Sequence, residues 1–292
     1  MTRIITIVTP SYNQGQFIEE TIKSVLSQEG NFEIDYIIAD GKSNDNTVSI
    51  IKKYDSLLKE NKIEIKCKGI SYRWWSHKDM GQANAINNGL KTSKGDILTW
   101  LNSDDTLEPD TLKYISQKFN ENPNIDLIYG NCFSFWEGSN KKQILKIEPT
   151  NFKKFLKRGD NMCQPAAFFT KRIIDKIGML DEKLNYVIDY DLWLRILKTS
   201  QSMYVNKELA NFRFWSNSKT CSQQDKINIE RKKLLRKYGG NIIDPKTIYN
   251  IQNKLTFLKF FRNKTPKLYK LIKRTFYLIL DNIHFENKWN QK

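Results

Sequence analysis

The run Ile97-Leu98-Thr99-Trp100-Leu101 is followed directly by Asn102-Ser103-Asp104-Asp105, so two like charges stand side by side where an apolar segment ends. Adjacent carboxylates repel each other. The arrangement makes chemical sense when a divalent cation and a diphosphate lie against them, because the ion removes the repulsion and bridges negative oxygens. The plain alternative is a turn: Asp is a common turn and N-cap residue, and Pro109-Asp110 opens a helical stretch shortly afterwards. Other acids hold comparable positions. Asp40 closes the run Phe32 to Ala39, Asp79 precedes the helical stretch that starts near Gln82, and Asp189 and Asp191 open "DYDLWLR", where they suit a cap and the helix dipole. Taken singly, each acid has a structural reading as good as its chemical one.

Several chemistries are excluded by what is missing. Cys67, Cys132, Cys163 and Cys221 are scattered without a C-x-x-C, and His77 and His284 are the only histidines, so neither a disulfide framework nor a Cys/His zinc site is expected and the thiols are read as reduced and mostly buried. No G-x-G-x-x-G follows the first apolar run, which argues against a dinucleotide-dependent oxidoreductase, and no P-loop is present. "TPSYNQGQ" also lacks the glycine-rich basic character that a sugar-phosphate nucleotidyltransferase would use to cradle a triphosphate.

The elements that must position these acids follow from periodicity. "RIITIVT" is β-branched and apolar, as a strand buried on both faces should be, and "PSYNQG" breaks it before Ile18, Ile22, Val25 and Leu26 repeat at helical spacing. "FEIDYIIAD" with the helix after "GKSND", and "ISYRWWSHKD" with "GQANAINNGLKT", repeat that sequence of events, and "DILTW" is a fourth strand. Alternation at this spacing predicts an α/β fold, a mostly parallel central sheet flanked by helices, with ligands at the carboxyl ends of the strands. "PSYNQG", "DGKSND" and "NSDD" all fall at such ends. After about residue 125, "IDLIYGNCFSFW", "KKQILKIE" and "QPAAFFT" predict a mixed continuation of the sheet, "VIDYDLWLRILKTS" a helix, and everything beyond 222 a helical C-terminal extension.

In that order and spacing, "TPSYNQGQFIEETIKSVLSQ", "IIADGKSNDNT", "DMGQANAINNGLKTSKGDILTWLNSDD" and "GMLDEKLNYVIDYDLWLR" resemble the family 2 glycosyltransferases, over about residues 3 to 220. The resemblance implies a GT-A fold and an inverting transfer of one sugar from a UDP- or dTDP-sugar to a hydroxyl of a glycan or polyprenyl-linked acceptor, with Mn or Mg as the divalent metal. It puts Thr9, Pro10 and Tyr12 around the base, Asp40 on the base's edge as acceptor of its N–H, and Asp79 with Gly81 along the same pocket. The family's metal motif is D-x-D, and here the first acid is the amide Asn102. Metal and diphosphate contacts therefore fall to Asp104 and Asp105, with Asn102 left for a ribose or a water. The same resemblance makes Asp189 the base that takes the acceptor's proton, with Ile188 where an acid is common. Asp191, Arg213 and Trp215 fall to the diphosphate or the acceptor, Trp215 standing where the family often has His.

The formal charge is +16, and residues 231 to 292 hold 16 Lys and Arg against 3 Asp and Glu, so +13 of it belongs to the last fifth of the chain. Leu268, Leu271, Ile272, Phe276, Ile279, Leu280 and Ile283 share one helical stripe among lysines, so residues 255–283 could lie on an anionic membrane face or dock on the catalytic part. No helix-turn-helix, zinc finger or aromatic RNA-binding signature accompanies the charge, and nucleic acid is not an expected partner. A catalytic domain over residues 1–222, an extension over 223–292 and a cytoplasmic location, peripheral on the inner membrane face, complete the expectations.

Overall fold

A computed structural model describes residues 2–139, 141–158 and 162–239 of the 292-residue chain. The chain divides into two units, Met1–Pro149 with Met162–Ile227, and Thr150–Asn161 with Asn228–Lys292. In the first, β1 (Arg3–Ser11), β2 (Phe32–Asp40), β3 (Gly69–Ser76) and β4 (Ile97–Trp100) lie parallel in the order β3-β2-β1-β4. From Ile5 onward β1 is buried throughout, and β2 exposes only Glu33, as strands covered on both faces must. The crossovers carry α1 (Ile18–Leu26), α2 (Thr47–Lys59) and α3 (Gln82–Lys91). Helix α1 buries Ile18, Thr21, Ile22, Val25 and Leu26, a single 3.6-period stripe. Helix α3 sits unusually close to β1 because Gly89 has no side chain: a Cβ there would stand 2.5 Å from Val8 Cγ1.

The second half is mixed. It contains β5 (Thr106–Leu107), α4 (Thr111–Glu121), β6 (Leu127–Trp136), β7 (Lys142–Leu145), β8 (Ala167–Thr170), α6 (Lys171–Ile177), α7 (Ile188–Thr199), β9 (Ser202–Phe214) and α8 (Lys219–Ser222); α5 (Phe152–Arg158) lies in the second unit and α9 spans Gln224–Lys237. Strand β8 runs antiparallel to both β4 and β6, β9 runs parallel to β6, and the nine-stranded sheet reads β3-β2-β1-β4-β8-β6-β9-β5 with β7 on β6. The sheet is thus parallel in its first half and reversed by β8 in its second. The amphipathic stripe expected over 255–283 lies outside the described residues. Among the described residues no helix is long and apolar enough to cross a membrane.

The cysteine expectation is corrected. Cys132 and Cys163 form a disulfide, their Cα atoms 6.4 Å apart, while Cys67 and Cys221 form none. Thirty-one residues separate the pair in sequence, and only the β6–β8 pairing brings β6 beside the turn that leads into β8.

Buried acids tie the layers together. Asp35, 1% exposed in the middle of β2, accepts from Thr6 Oγ1 (2.9 Å), Lys94 N (2.9 Å) and the Arg73 guanidinium (2.7 Å), linking β1, β3 and the entry to β4. Removing the cation would leave its charge buried and short of partners. Arg73→Met should therefore lower the unfolding free energy by about 2–3 kcal/mol in urea titrations; a change under about 0.5 kcal/mol, the range of an ordinary surface substitution, would show the pair to be incidental.

Candidate active site

The carboxyl ends of the parallel strands open on a cleft of about 450 Å³. Its first wall is the loop after β1, which the backbone cannot form alone: Asn13 has φ +52 and is held by its N–H to Ser43 Oγ (2.8 Å), and the neighbouring Gln14 N donates to Thr47 Oγ1 (2.9 Å) and Gly15 N to Asp45 Oδ2 (2.9 Å). The loops after β1 and β2 thus fold as one piece. On this wall stand Pro10, Ser11, Tyr12 and Gln14, with Tyr12 61% exposed. Ser11 Oγ and Gln14 Oε1 are buried with no hydrogen-bond partner. A buried hydroxyl and amide oxygen left unsatisfied at a cleft wall are polar groups that a ligand or water must complete. Nothing in the sequence marked Ser11 or Gln14 beyond their place in the "PSYNQG" turn.

Asp79 and Gly81 also line this wall. Asp79 Oδ1 accepts from Gly81 N (2.9 Å), and Gly41 lets the carboxylate close in, since a Cβ there would meet Asp79 Oδ2 at 2.9 Å and Tyr12 Cδ2 at 3.4 Å. Gly81 has φ +108 with open space around it, so only glycine turns the chain there without strain.

Two of the residues expected on this wall stand behind it. Asp40 is 1% exposed and outside the cleft lining; its carboxylate accepts from Ser43 N (2.9 Å), Ser43 Oγ (2.5 Å) and Ser76 Oγ (2.6 Å), joining the ends of β2 and β3. Thr9 is fully buried beneath the cleft, its hydroxyl 3.2 Å from Tyr36 Oη. Both support the wall from behind and neither reaches it.

The acidic corner forms the floor. Asp104 and Asp105 both line the cleft, but their settings differ. Asp105 is 2% exposed and accepts from Arg213 N (3.1 Å) and Asn102 Nδ2 (3.3 Å). Asp104 takes the Trp215 indole N–H on Oδ2 (2.8 Å), and no hydrogen bond among the described residues reaches its Oδ1. Burial raises the Asp104 pKa; burial and then the charge of Asp104 push Asp105 well above the usual carboxylate range. Asn102 is held on both sides of its amide: Oδ1 accepts from Gln82 Nε2 (2.9 Å), and Nδ2 also donates to Gln164 Oε1 (3.1 Å), while Gln164 Nε2 donates to Trp100 O (2.7 Å). The amide at this position is therefore required by its neighbours, two glutamines and a buried carboxylate. Gln82 and Gln164 were not anticipated.

Arg213 lines the cleft and is heavily engaged. Its Nε donates to Asp104 O (3.0 Å), its two terminal nitrogens pair with Glu20 and Glu137, and the guanidinium lies 4.7 Å from the rings of both Phe17 and Phe135. Burial works against its charge and the two ion pairs outweigh it. With the side chain 4% exposed and each of its three nitrogens paired, Arg213 braces the corner. The other cation on the cleft is Lys219, at the start of α8, whose Nζ reaches Gln82 Oε1 (3.0 Å) and Asn185 O (3.3 Å). Trp215, edge-on to Phe17 at 5.1 Å, orients Asp104 through its N–H. It stands where a histidine was expected and cannot ligate a metal.

The last wall is the start of α7, carrying Ile188 and the partly buried Asp189, with Asn185 and Tyr186 before it. Two contacts fix its position. Trp193 stacks on Trp100 at 5.6 Å beneath the cleft. Arg195 pairs with Asp191 (2.7 Å) and donates to the carbonyls of Ile177, Gly178 and Met179. Asp191, expected at the diphosphate or the acceptor, is 1% exposed, stands outside the cleft lining and anchors the helix through Arg195. Asn84 and Asn87 of α3 clamp the preceding loop through Glu182 (2.9 and 2.8 Å) and Leu180, which is why the asparagines of "GQANAINNG" and the "GMLDE" segment belong together.

A divalent ion fits this donor set in a limited way. No group of three or more His, Cys, Asp or Glu among the described residues could hold an ion unaided. Asp104 offers one uncommitted oxygen, and Asp105 behind it adds negative charge. Such a set suits a hard cation that keeps water and takes phosphate oxygens as its remaining ligands, and does not suit a structural zinc.

The family model described as Glycosyl transferase family 2 matches residues 6–178. The chain is 28% identical over 224 residues to the poly(ribitol-phosphate) beta-N-acetylglucosaminyltransferase TarP of Staphylococcus aureus, covering 75% of this chain and 55% of that protein. It superimposes with a TM-score of 0.57 on S. aureus TarS in complex with UDP-GlcNAc, at 18% identity over 76% of this chain and 61% of the other. The same TM-score relates it to the mannosyltransferase PcManGT of Pyrobaculum calidifontis in complex with GDP-Man and Mn2+, at 14% identity over 81% and 65% of the two chains. These two likenesses give the GT-A fold. The chain spans between 37% and 74% of the length of these curated relatives.

The amide network makes an outcome that runs against the motif. Asn102→Asp restores the expected acid but sets a third carboxylate against Asp105 and Gln164 Oε1 and removes both donated hydrogen bonds. It should lower the stability of the metal-free protein by about 2 kcal/mol in urea titrations. Unchanged or increased stability would contradict the network.

Proposed function

The chain belongs to glycosyl transferase family 2, and from that premise we propose that it moves one sugar, with inversion at the anomeric carbon, from a uridine or thymidine diphosphate sugar to a hydroxyl of a glycan or lipid-linked glycan. The observation that carries this reading is the company the cleft keeps: a carboxylate with one uncommitted oxygen (Asp104), a second acid at a helix start (Asp189), a cation (Lys219), and an exposed ring (Tyr12) beside unsatisfied polar atoms.

The nucleotide end is the wall of Pro10, Ser11, Tyr12, Gln14, Asp79 and Gly81. Uracil and thymine present an N–H between two carbonyls, and Gln14 Oε1 and Ser11 Oγ supply an acceptor and a group of either sense. The Tyr12 ring is free to stack on the base. Asp40, engaged with two serines, keeps that wall in shape from behind. Lys219 meets the diphosphate.

In the transfer, the acceptor oxygen bonds to the anomeric carbon as the bond from that carbon to the diphosphate oxygen breaks, and the acceptor's proton passes to Asp189. The nucleoside diphosphate leaves with the electron pair. A divalent cation held by Asp104, when bound, neutralises charge on that departing group. Asp105 and Asn102 keep Asp104 aimed at the cleft, and the packing of α7 by Trp193 and Arg195 fixes the line along which Asp189 meets the acceptor. The catalytic part comprises residues 1–222, and the basic extension from 223 suits an acceptor presented at an anionic membrane surface.

Two substitutions separate the roles. Asp189→Asn should leave UDP affinity within about twofold while turnover falls about 10³-fold, the range of a lost general base; near-normal turnover would remove Asp189 from the chemistry. Lys219→Met should weaken UDP about tenfold in calorimetry, and leave uridine unaffected, because the loss acts only on the phosphates. Equal loss for both ligands would assign Lys219 to loop structure instead. Metal-dependent hydrolysis across a panel of nucleotide sugars identifies the donor.

A further inference from the structure

The cleft does not end at the acidic corner. Phe212 lines it, and the parallel pairing of β6 with β9 sets Ser134 beside Phe212 and Trp136 beside Phe214, so the three rings Phe212, Phe214 and Trp136 share one face of the sheet. Phe214 meets Phe212 edge-on at 5.0 Å and Trp136 face-to-face at 5.5 Å, with 28° between the planes. The result is a continuous aromatic ridge two ring spacings long. Its outer end is open: Trp136 is 57% exposed although Phe214 covers one of its faces, so the other indole face meets solvent. A large ring presented in this way is unusual on a protein surface and marks a place where something stacks.

We propose that this ridge binds the sugar units of a glycan acceptor that lie beyond the unit being modified, Phe212 next to the reacting hydroxyl and Trp136 furthest out. The inference rests on the glycosyltransferase reading above and deepens it by making the acceptor a chain. A pyranose ring has an apolar C–H face and a polar rim, which suits a flat indole flanked by hydrogen-bonding side chains. Those are present on the same face: Ser134 stands beside Phe212, and Gln143 of β7, the strand next to β6, stands opposite Ser134. A membrane is a poorer occupant, because the chain passes from Trp136 straight into Glu137-Gly138-Ser139, polar and acidic, with no apolar residue to enter the bilayer.

The test uses the full chain loaded with UDP and manganese and reads calorimetric affinity for oligosaccharides of one to six units, drawn from the glucose, N-acetylglucosamine, galactose and mannose series. The expected result is at least one series whose affinity rises about tenfold with length, a rise that Trp136→Ala abolishes and Trp136→Phe largely keeps, with UDP affinity unaltered in both. Length dependence that survives Trp136→Ala, or no series bound at millimolar concentration, overturns the ridge. Wild-type protein that fails to bind UDP at all overturns the donor reading instead, so the two failures are distinguishable. Should Trp136→Ala not fold, Trp136→Gln with a solvent-compatible side chain takes its place under the same criteria.

Discussion

Two neighbouring carboxylates held out of water is the constraint on which the site depends. Asp104 and Asp105 raise each other's cost of ionisation, and the fold answers with one residue. Arg213 gives its backbone N–H to Asp105 and its Nε to the carbonyl of Asp104, and its remaining nitrogens are fixed by Glu20 from α1 and Glu137 from the end of β6. Phe17 and Phe135 sandwich the guanidinium. The corner is therefore braced from both halves of the sheet at once, and its shape is set before any ligand arrives. Truncating the Arg213 side chain would leave its backbone N–H on Asp105 but remove the ion pairs to Glu20 and Glu137 and the hydrogen bond to the Asp104 carbonyl.

That bracing explains the division of labour across the cleft. Arg213 is enclosed by its partners, whereas Lys219 stands at the rim of the cleft, where the proposed function gives it the diphosphate. Trp215 supplies one N–H to Asp104, which leaves a single carboxylate oxygen facing the cleft. Asn102, an amide where an acid is usual, keeps the local negative charge at two and links the corner to Gln82 and Gln164. A cation bound there as proposed would need phosphate oxygens to complete its ligands, which would couple the ion to the donor.

Much of this was legible in the sequence, for identifiable reasons. The parallel half announced itself because "RIITIVT" and "FEIDYIIAD" are rich in β-branched and apolar residues and almost wholly buried, and because α1 buries a single helical stripe. Pro10, Tyr12, Asp79, Gly81, Asn102, Asp104, Asp105, Asp189, Arg213 and Trp215 do converge on one cleft. What was not legible depends on partners distant in sequence. Strand β9, which carries Phe212 and Arg213, reads "SMYVNKELANFRF"; its burial is uneven because β6 and β5 flank different parts of it, so no simple period appears. Asp40, Thr9 and Asp191 sit beside the cleft segments in the chain, and only the structure shows that their side chains engage a serine pair, a tyrosine and an arginine. Ser11, Gln14 and Lys219 carry no signature at all, and a disulfide across 31 residues needs the β6–β8 pairing before it can be seen.

The central claim is that the brace of Arg213 presents Asp104, and not Asp105, to a cation shared with the donor's diphosphate. Crystals grown with UDP and manganese and measured at the manganese absorption edge test it directly. The account predicts an anomalous peak bonded to Asp104 and to the diphosphate, with Asp105 still taking the Arg213 N–H. A peak bonded to Asp105 with that hydrogen bond broken, or a diphosphate ordered away from the corner, would contradict it.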